Sequence, residues 1–262
     1  MRFAKAGIAY FSLLLAACSS TSHTTTDGLL PVPTLDDMRA VSPALAHNTE
    51  STLLGEVWKR PGLSPRDRSL VTLAVLISKQ QTVELAYHLN LALDNGVKPA
   101  EISEAINHLA FYSGWGNATA TILITKDVFA KRGVTPDQLP PVSPPLLPID
   151  QASEKVRTAY VDKNVGPVSP GLVHYTSASL FHDLWLRPGL APRDRSMITV
   201  SALIATGQVA QLAAHLNRAM DNGLTQAQAS EMLTQLAFYT GWPNVFTAVP
   251  LVNDVFTSRQ KS

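Results

Sequence analysis

Apolar residues recur along this chain at helical spacing. Residues 99–112 carry them at i, i+3, i+4, i+7 and i+8, which places them on one helix face: Ile102, Ala105, Ile106, Leu109 and Ala110. Residues 70–78 are apolar on nearly all sides and predict a buried helix. Because no segment alternates apolar and polar residues with a period of two, the pattern predicts an all-α fold.

Start and stop signals place the helices more closely. The string Ser64-Pro65-Arg66-Asp67 predicts a helix that begins with a serine cap. Thr82 is expected to cap a helix that runs to Asp94 and stops at Asn95-Gly96. With three more helices, near 50–58, 99–112 and 117–133, the first half of the chain is predicted to form a bundle of about five helices.

The second half of the chain repeats the first. A shift of 127 residues places Trp58 on Trp185 and His88 on His215. About half of the positions in 41–129 are identical to their partners in 168–256, and the strings RPGL, PRDRS, HLN, DNG and LAFY all recur. Such self-similarity at a fixed period indicates tandem copies of one structural unit.

A proline-rich segment separates the two copies. Residues 133–150 contain prolines at 136, 140, 141, 144, 145 and 148. Proline cannot continue a helix, so the segment predicts a semi-rigid, extended linker. The predicted organisation is a first domain over 34–132, this linker over 133–150, and a second domain over 151–262.

Composition predicts a globular chain and argues against nucleic acid as its partner. Hydrophobic residues make up 45% of the 262 residues and charged residues 16%, which suits packed cores. The formal net charge is +1, so no basic surface suggests nucleic acid as a partner. We expect a small-molecule substrate instead.

The N-terminal segment has the pattern of an export signal. Arg2 and Lys5 precede an apolar run over 7–16, which is shorter than the roughly 20 residues that span a bilayer, and small residues lead to Cys18. We interpret residues 1–18 as a lipoprotein signal peptide with Cys18 as the acylated residue, and 19–33 as a polar tether. The alternatives are a plain signal peptide or a buried helix. The expected location is the bacterial cell envelope, lipid-anchored and facing the periplasm.

Several spaced strings resemble the carboxymuconolactone decarboxylase family. They are RPGL, PRDRSLVTLA, ELAYHLNLALDNGV and EISEAINHLAFYSGW, in that order, and both copies carry versions of them. The resemblance implies two tandem helical bundles of the carboxymuconolactone decarboxylase and alkylhydroperoxidase D-like type. It also implies a homo-oligomer, because single-domain members often form ring-shaped hexamers. Three two-repeat chains would complete such a ring.

One branch of that family reduces disulfides or peroxides through Cys-x-x-Cys, four residues before a histidine. In this chain the cysteine positions hold Gln81 and Glu84 in the first copy, and Gln208 and Gln211 in the second. Without thiols there is no thiolate nucleophile, which excludes that chemistry. The other branch resembles the decarboxylase itself and has glutamate and histidine at the positions of Glu84 and His88, and often histidine at that of His108.

Glu84 and His88 lie one helical turn apart and share a face. We expect Glu84 to raise the pKa of His88 and orient it as a proton donor, with His108 as a third catalytic residue. His108 and Tyr112 are expected to line the same pocket. The remaining predicted substrate-binding residues are two arginines for a carboxylate and the second histidine: Arg68, Arg60 and His215. No cofactor or metal is expected.

The expected function is a cofactor-independent, lyase-like enzyme acting on a small carboxylated lactone or related ring compound. The alternative is a non-catalytic binding or scaffold protein of the cell envelope on the same fold. The two copies differ where Glu84 becomes Gln211 and His108 becomes Gln235. A glutamine cannot carry the charge that tunes a histidine, so the first copy is expected to be the active one.

Overall fold

The structure, a computed structural model, describes residues 32–261, and all regular secondary structure in this range is helical. The first repeat contains α1 Leu35–Val41, α2 Pro43–His47, α3 Pro65–Ser78, α4 Thr82–Asp94, α5 Pro99–Ser113, α6 Trp115–Thr119 and α7 Ile122–Lys131. The second contains α8 Gln151–Asn164, α9 Pro170–Tyr175, α10 Pro192–Ala205, α11 Leu212–Asp221, α12 Gln226–Thr240 and α13 Trp242–Arg259. The predicted all-α fold is confirmed. The predicted signal peptide, Cys18 and most of the tether lie outside the described residues.

Short non-α helices occupy equivalent places in the two repeats. The predicted helix near 50–58 is instead a π-helix, Asn48–Leu54, followed by a 3₁₀ turn, Val57–Lys59. The second repeat has the same pair, Thr176–Phe181 and Leu184–Leu186. π-helical turns are rare and often lie beside functional sites. Here each one leads directly into a 3₁₀ turn that carries a tryptophan of the site described below.

Most predicted helix ends are observed, with two differences. Ser64 caps α3 by accepting a hydrogen bond from the Asp67 amide at 3.1 Å, as predicted. Thr82 is not a cap, because Gln81 occupies that position and Thr82 is the first helical residue of α4. The predicted helix over 117–133 is divided into α6 and α7. The linker contains one 3₁₀ turn at Pro136–Gln138.

The end of α3 holds a residue in the left-handed region. Gln80 has φ +53°, where its β-carbon crowds the backbone. Its counterpart after α10, Gly207, has φ +70° and no β-carbon, so its backbone is not strained. Gln80→Gly should therefore raise the free energy of unfolding by about 0.5–1 kcal/mol, and Gly207→Gln should lower it by about 1 kcal/mol. Urea unfolding of both variants measures these two changes in the free energy of unfolding. A loss of stability in Gln80→Gly would contradict the strain at this turn.

The repeats are interleaved rather than side by side. Helices α3 and α10 are buried over most of their length and pack against each other. Each also packs on the other repeat, α3 against α12 and α10 against α5, so that the described chain forms one compact unit. Among residues 32–261, no helix has the length and apolar character needed to cross a bilayer.

Two equivalent sets of ion pairs join the repeats with approximate two-fold symmetry. At the helix starts, Arg66 pairs with Asp194 at 2.8 Å and Arg193 pairs with Asp67 at 2.6 Å. Arg66 and Arg193 are equivalent positions, as are Asp67 and Asp194, so the same contact is made twice across the interface. Such reciprocity is typical of an isologous dimer interface. The two copies of one repeat therefore meet as the subunits of a symmetric dimer would.

The recurrent RPGL string has a structural reason at this interface. Its arginine binds a buried glutamate of the other repeat, Arg60 to Glu231 at 2.7 Å and Arg187 to Glu104 at 2.9 Å. A β-carbon at Gly62 would lie 3.0 Å from Cγ of Glu231, closer than ordinary packing allows. The glycine of the string therefore lets the glutamate approach the backbone.

Candidate active site

The interleaving creates two sites, each built from both repeats. Site 1 contains four residues of the first repeat and one of the second: Trp58, Glu84, Tyr87, His88 and Tyr239. Site 2 contains Phe181, Trp185, Gln211, His215 and Arg218 of the second repeat, with His108 and Tyr112 of the first. Neither site is complete within one repeat.

Aromatic rings enclose His88 in site 1. Trp58 stacks on its imidazole with ring centroids 6.0 Å apart, and Tyr87 and Tyr239 approach edge-on at 5.0 and 5.2 Å. The His88 side chain is 5% exposed, and no described residue forms a hydrogen bond with its Nδ1. These rings fix the imidazole and exclude most water from it.

Glu84 lies beside His88, as the helical spacing predicts. Glu84 Oε2 is 4.0 Å from His88 Nε2, beyond hydrogen-bond distance, and its side chain is 52% exposed. The expectation that this carboxylate raises the pKa of His88 is wrong. Burial lowers that pKa to about 4, because desolvation disfavours the imidazolium and the half-exposed carboxylate is too distant and too hydrated to offset it. His88 is therefore neutral at pH 7.

Tyr239 is a functional candidate that the sequence did not single out. Its hydroxyl oxygen accepts a hydrogen bond from Trp58 Nε1 at 2.8 Å, which leaves the phenol proton available for another acceptor. Burial, together with the nearby charge of Glu84, raises the pKa of Tyr239 above its usual value of about 10, so the phenol stays protonated. Its recurrence in both LAFY strings was the signal that could have found it.

The predicted grouping of His108 and Tyr112 with His88 is wrong. His108 stacks on Tyr112 at 4.8 Å, and Tyr112 meets His215 edge-on at 5.2 Å, so both first-repeat residues line site 2. The cause is the interleaving, which carries α5 to α10 of the other repeat. Fully buried His108 accepts from or donates to Thr199 Oγ1 at 2.7 Å, and burial lowers its pKa well below the usual value.

The two arginines expected to hold a substrate carboxylate have other partners. Arg60 binds both carboxylate oxygens of Glu231, at 2.7 and 3.0 Å. Fully buried Arg68 donates to the same glutamate at 2.8 Å and to Gln235 at 3.1 Å. Both guanidinium groups pair with the Glu231 carboxylate, so the two arginines join the repeats.

Lys79 is the cation that the two-fold relation places at site 1. Its counterpart in the second repeat, Thr206, lines a cavity of about 360 Å³ with Tyr112 and Gln211. By the same two-fold relation, Lys79 is expected beside Tyr239 and Glu84, the counterparts of Tyr112 and Gln211. It is exposed, and its ammonium donates to the Thr240 carbonyl at 3.3 Å, with no described carboxylate within 4.0 Å.

Site 2 differs from site 1 in charge. Gln211 stands where site 1 has Glu84, and Arg218 stands where the first repeat has Leu91. The Arg218 guanidinium lies 4.9 Å above the Trp185 ring and 5.1 Å above Phe181. Burial, and secondarily Arg218, lower the pKa of His215 to about 4. Site 2 thus combines neutral imidazoles with a cation and has no equivalent of the Glu84 carboxylate.

The described residues thus form an internally duplicated helical bundle in which the two repeats jointly build two histidine-centred aromatic sites. The family model described as the carboxymuconolactone decarboxylase family matches residues 43–127 and 170–254, which together cover more than half of the chain. The chain belongs to that family, in tandem form.

Two curated relatives are similar to part of the chain. A 4-carboxymuconolactone decarboxylase of Acinetobacter baylyi is 40% identical over 85 residues, which is 32% of this chain and 63% of that protein. A nitrosuccinic acid decarboxylase of Metarhizium robertsii is 40% identical over 72 residues, which is 28% of this chain and 50% of that protein. The matches therefore span between half and two thirds of these relatives, both of which are decarboxylases by name.

Proposed function

We propose that this protein is a cofactor-independent decarboxylase of a small carboxylated lactone or related ring compound, with site 1 as its active site. The observation that carries the proposal is the arrangement of one buried neutral imidazole, a carboxylate 4.0 Å from it, and a phenol donor from the other repeat. The two decarboxylases among the relatives support the same reaction class.

The reaction requires the protein to stabilise a developing negative charge and to supply a proton. When the bond to the carboxylate carbon breaks, CO₂ leaves and the electron pair moves into the conjugated carbonyl of the substrate, whose oxygen gains negative charge. The Tyr239 phenol can donate a hydrogen bond to that oxygen, a form of stabilisation that is strong in a water-poor site. A proton must then be added to a ring carbon, and the imidazole of His88 is the group placed to deliver it.

His88 and Glu84 together can supply that proton. A bound anionic substrate favours the imidazolium, which opposes the effect of burial on the pKa of His88. Glu84 is half exposed while His88 is buried, so the carboxylate lies between the imidazole and solvent. Glu84 is therefore proposed to pass one proton from solvent to His88 in each turnover, through one bridging water across the 4.0 Å between them, which balances the proton that replaces CO₂.

Lys79 is proposed to bind the substrate carboxylate at the rim of site 1. Lys79→Thr, which installs the residue found at site 2, should raise KM about 10-fold and change kcat less than twofold, because a rim charge acts equally on substrate and transition state. Lys163→Thr, in the last turn of α8 in the second repeat, removes the same charge at a residue that is not part of site 1 and serves as the control. A fall in kcat at unchanged KM would contradict this role.

Release of CO₂ from candidate substrates tests the proposal. Purified protein should release CO₂ from 4-carboxymuconolactone without added metal or cofactor, and Glu84→Gln should reduce the rate. If neither this lactone nor other small carboxylated lactones yield CO₂ above the uncatalysed rate, the decarboxylase proposal fails.

The second candidate function is non-catalytic binding of a small molecule. The cavity of about 360 Å³ at site 2 favours it, because the cavity lies beside Gln211 rather than beside a carboxylate. A protein of this kind would bind carboxylated ring compounds reversibly and leave them unchanged. Recovery of intact ligand after prolonged incubation, with no CO₂, would distinguish it from the enzyme.

Self-association of the two-repeat chain is also proposed. Large apolar side chains are exposed at equivalent places in both repeats, among them Trp115 and Ile122 in the first and Trp242 and Val249 in the second. Apolar side chains of this size favour burial against another chain. Native mass spectrometry should give a multiple of the chain mass, with a trimer expected from the family resemblance. A monomer at micromolar concentration would contradict it.

Attachment to the cell envelope remains a proposal based on the sequence pattern around Cys18. If Cys18 is acylated, metabolic labelling with an alkyne fatty acid in a bacterial host should mark the wild type and not Cys18→Ser. An unlabelled wild-type chain would contradict the lipid anchor.

A further inference from the structure

Three substitutions change the number of acidic and basic side chains at site 2 relative to site 1. Relative to the first repeat, the second has Gln211 for Glu84, Thr206 for Lys79 and Arg218 for Leu91. The first two replace a charged side chain by a neutral one at positions that line the cavity of site 2, and the third adds a cation above the Trp185 ring.

The Arg218 guanidinium is held by aromatic faces rather than by an acid. It lies above Trp185 and Phe181 at 4.9 and 5.1 Å, and no ion pair within 4.0 Å joins it to another described side chain. Asp150 is close enough for Arg218 to lower its pKa, but hydrogen bonds from Ser153 and Ala152 have the larger effect on that carboxylate. The guanidinium therefore keeps donors for a further anion.

Arg218, His215 and Gln211 share one face. They lie at successive helical spacings of four and three residues, and Gln211 and Tyr112 line the cavity of about 360 Å³. The charge of Arg218 also acts on Tyr112 and His215, which places it within electrostatic range of that space. Other walls carry hydroxyl and amide groups, from Ser113, Thr206 and Gln208.

We propose that site 2 is a binding site for a small organic carboxylate, which lies against the Tyr112 ring in this cavity and is recognised by the charge of Arg218. The guanidinium lies above Trp185, whose Nε1 donates to the Tyr112 hydroxyl at 2.9 Å. The volume falls within the range of pockets that hold small ligands. An acid at position 211 would repel such a ligand, and glutamine there does not. The site binds without decarboxylating, because it lacks the carboxylate that supplies protons in site 1.

Calorimetric titration of the full chain with benzoate, and with its neutral isostere benzamide, tests this proposal. Wild type should bind benzoate saturably, and Arg218→Leu should weaken that binding at least 10-fold while leaving benzamide affinity within twofold. Gln211→Glu should weaken benzoate more than benzamide. Arg132→Leu on the first repeat removes an equal charge and should change benzoate affinity less than twofold.

Three results would overturn the proposal. They are no saturable benzoate binding by wild type, equal benzoate affinity in wild type and Arg218→Leu, and an equal loss of benzoate and benzamide binding in that variant. The titration requires no turnover, so it is independent of decarboxylation at site 1. CO₂ release that is retained in Arg218→Leu would show that the two sites act separately.

Discussion

Replacing His88 by asparagine should lower the rate of CO₂ release by about 10²–10⁴-fold, the range typical of a lost general acid. Asparagine keeps a polar side chain of similar reach but cannot transfer a proton. The matched change, His215→Asn, should leave the rate within about twofold, because site 2 pairs its histidine with Gln211 rather than with a carboxylate.

The comparison of these two variants is informative because their surroundings are so similar. Each imidazole is stacked on a tryptophan, at 6.0 Å for His88 and 6.1 Å for His215, and each meets a tyrosine edge-on at 5.2 Å. A general effect on folding would therefore affect both variants alike. Steady-state CO₂ release at saturating 4-carboxymuconolactone is the measurement, and equal losses in both variants would reject the asymmetry between the sites.

Glu104→Gln should lower the free energy of unfolding by about 3–5 kcal/mol, the cost of leaving buried charges without their partner. Glu104 is 1% exposed and accepts hydrogen bonds from Arg187 at 2.9 Å and from Arg195 at 2.5 Å. Burial already lowers the pKa of Arg195 despite this carboxylate. Without the negative charge, two guanidinium groups remain in the interface between the repeats.

Urea unfolding measures this loss of stability, and an exposed ion pair provides the comparison. Asp221→Asn breaks the exposed contact with Arg259 at 2.8 Å and should cost less than about 1 kcal/mol. If Glu104→Gln costs no more than Asp221→Asn, the ion pairs between the repeats do not hold the unit together. Replacing Glu104, Arg187 and Arg195 together by apolar residues should restore part of the stability, because no charge is then left unpaired.

The sequence predicted local structure well, because helical periodicity and capping depend on neighbours along the chain. Ser64 at the start of α3 and Gly96 after α4 are found where these signals placed them. The π-helix at Asn48–Leu54 was not predicted, since its residues give no signal that separates it from an α-helix.

The sequence did not predict which side chains of the two repeats contact each other. A self-alignment shows that Tyr112 corresponds to Tyr239, but not that each lies against the other repeat's histidine. The same limit led to the assignment of Arg60 and Arg68 to a substrate, because their partner Glu231 is more than 160 residues away. Glu104 and Glu231 recur at equivalent positions of the two repeats, and that recurrence was the available signal.

The central claim is that the active site joins His88 of one repeat to Tyr239 of the other. Its most direct test is the rate of CO₂ release from 4-carboxymuconolactone by Tyr239→Phe and by Tyr112→Phe, which remove the same hydroxyl from equivalent hydrogen bonds to tryptophan, of 2.8 and 2.9 Å. We expect Tyr239→Phe to be slower by about 10²-fold, the effect of removing one donor to a developing oxyanion, and Tyr112→Phe to stay within twofold of wild type. A large loss in Tyr112→Phe with little change in Tyr239→Phe would contradict the account.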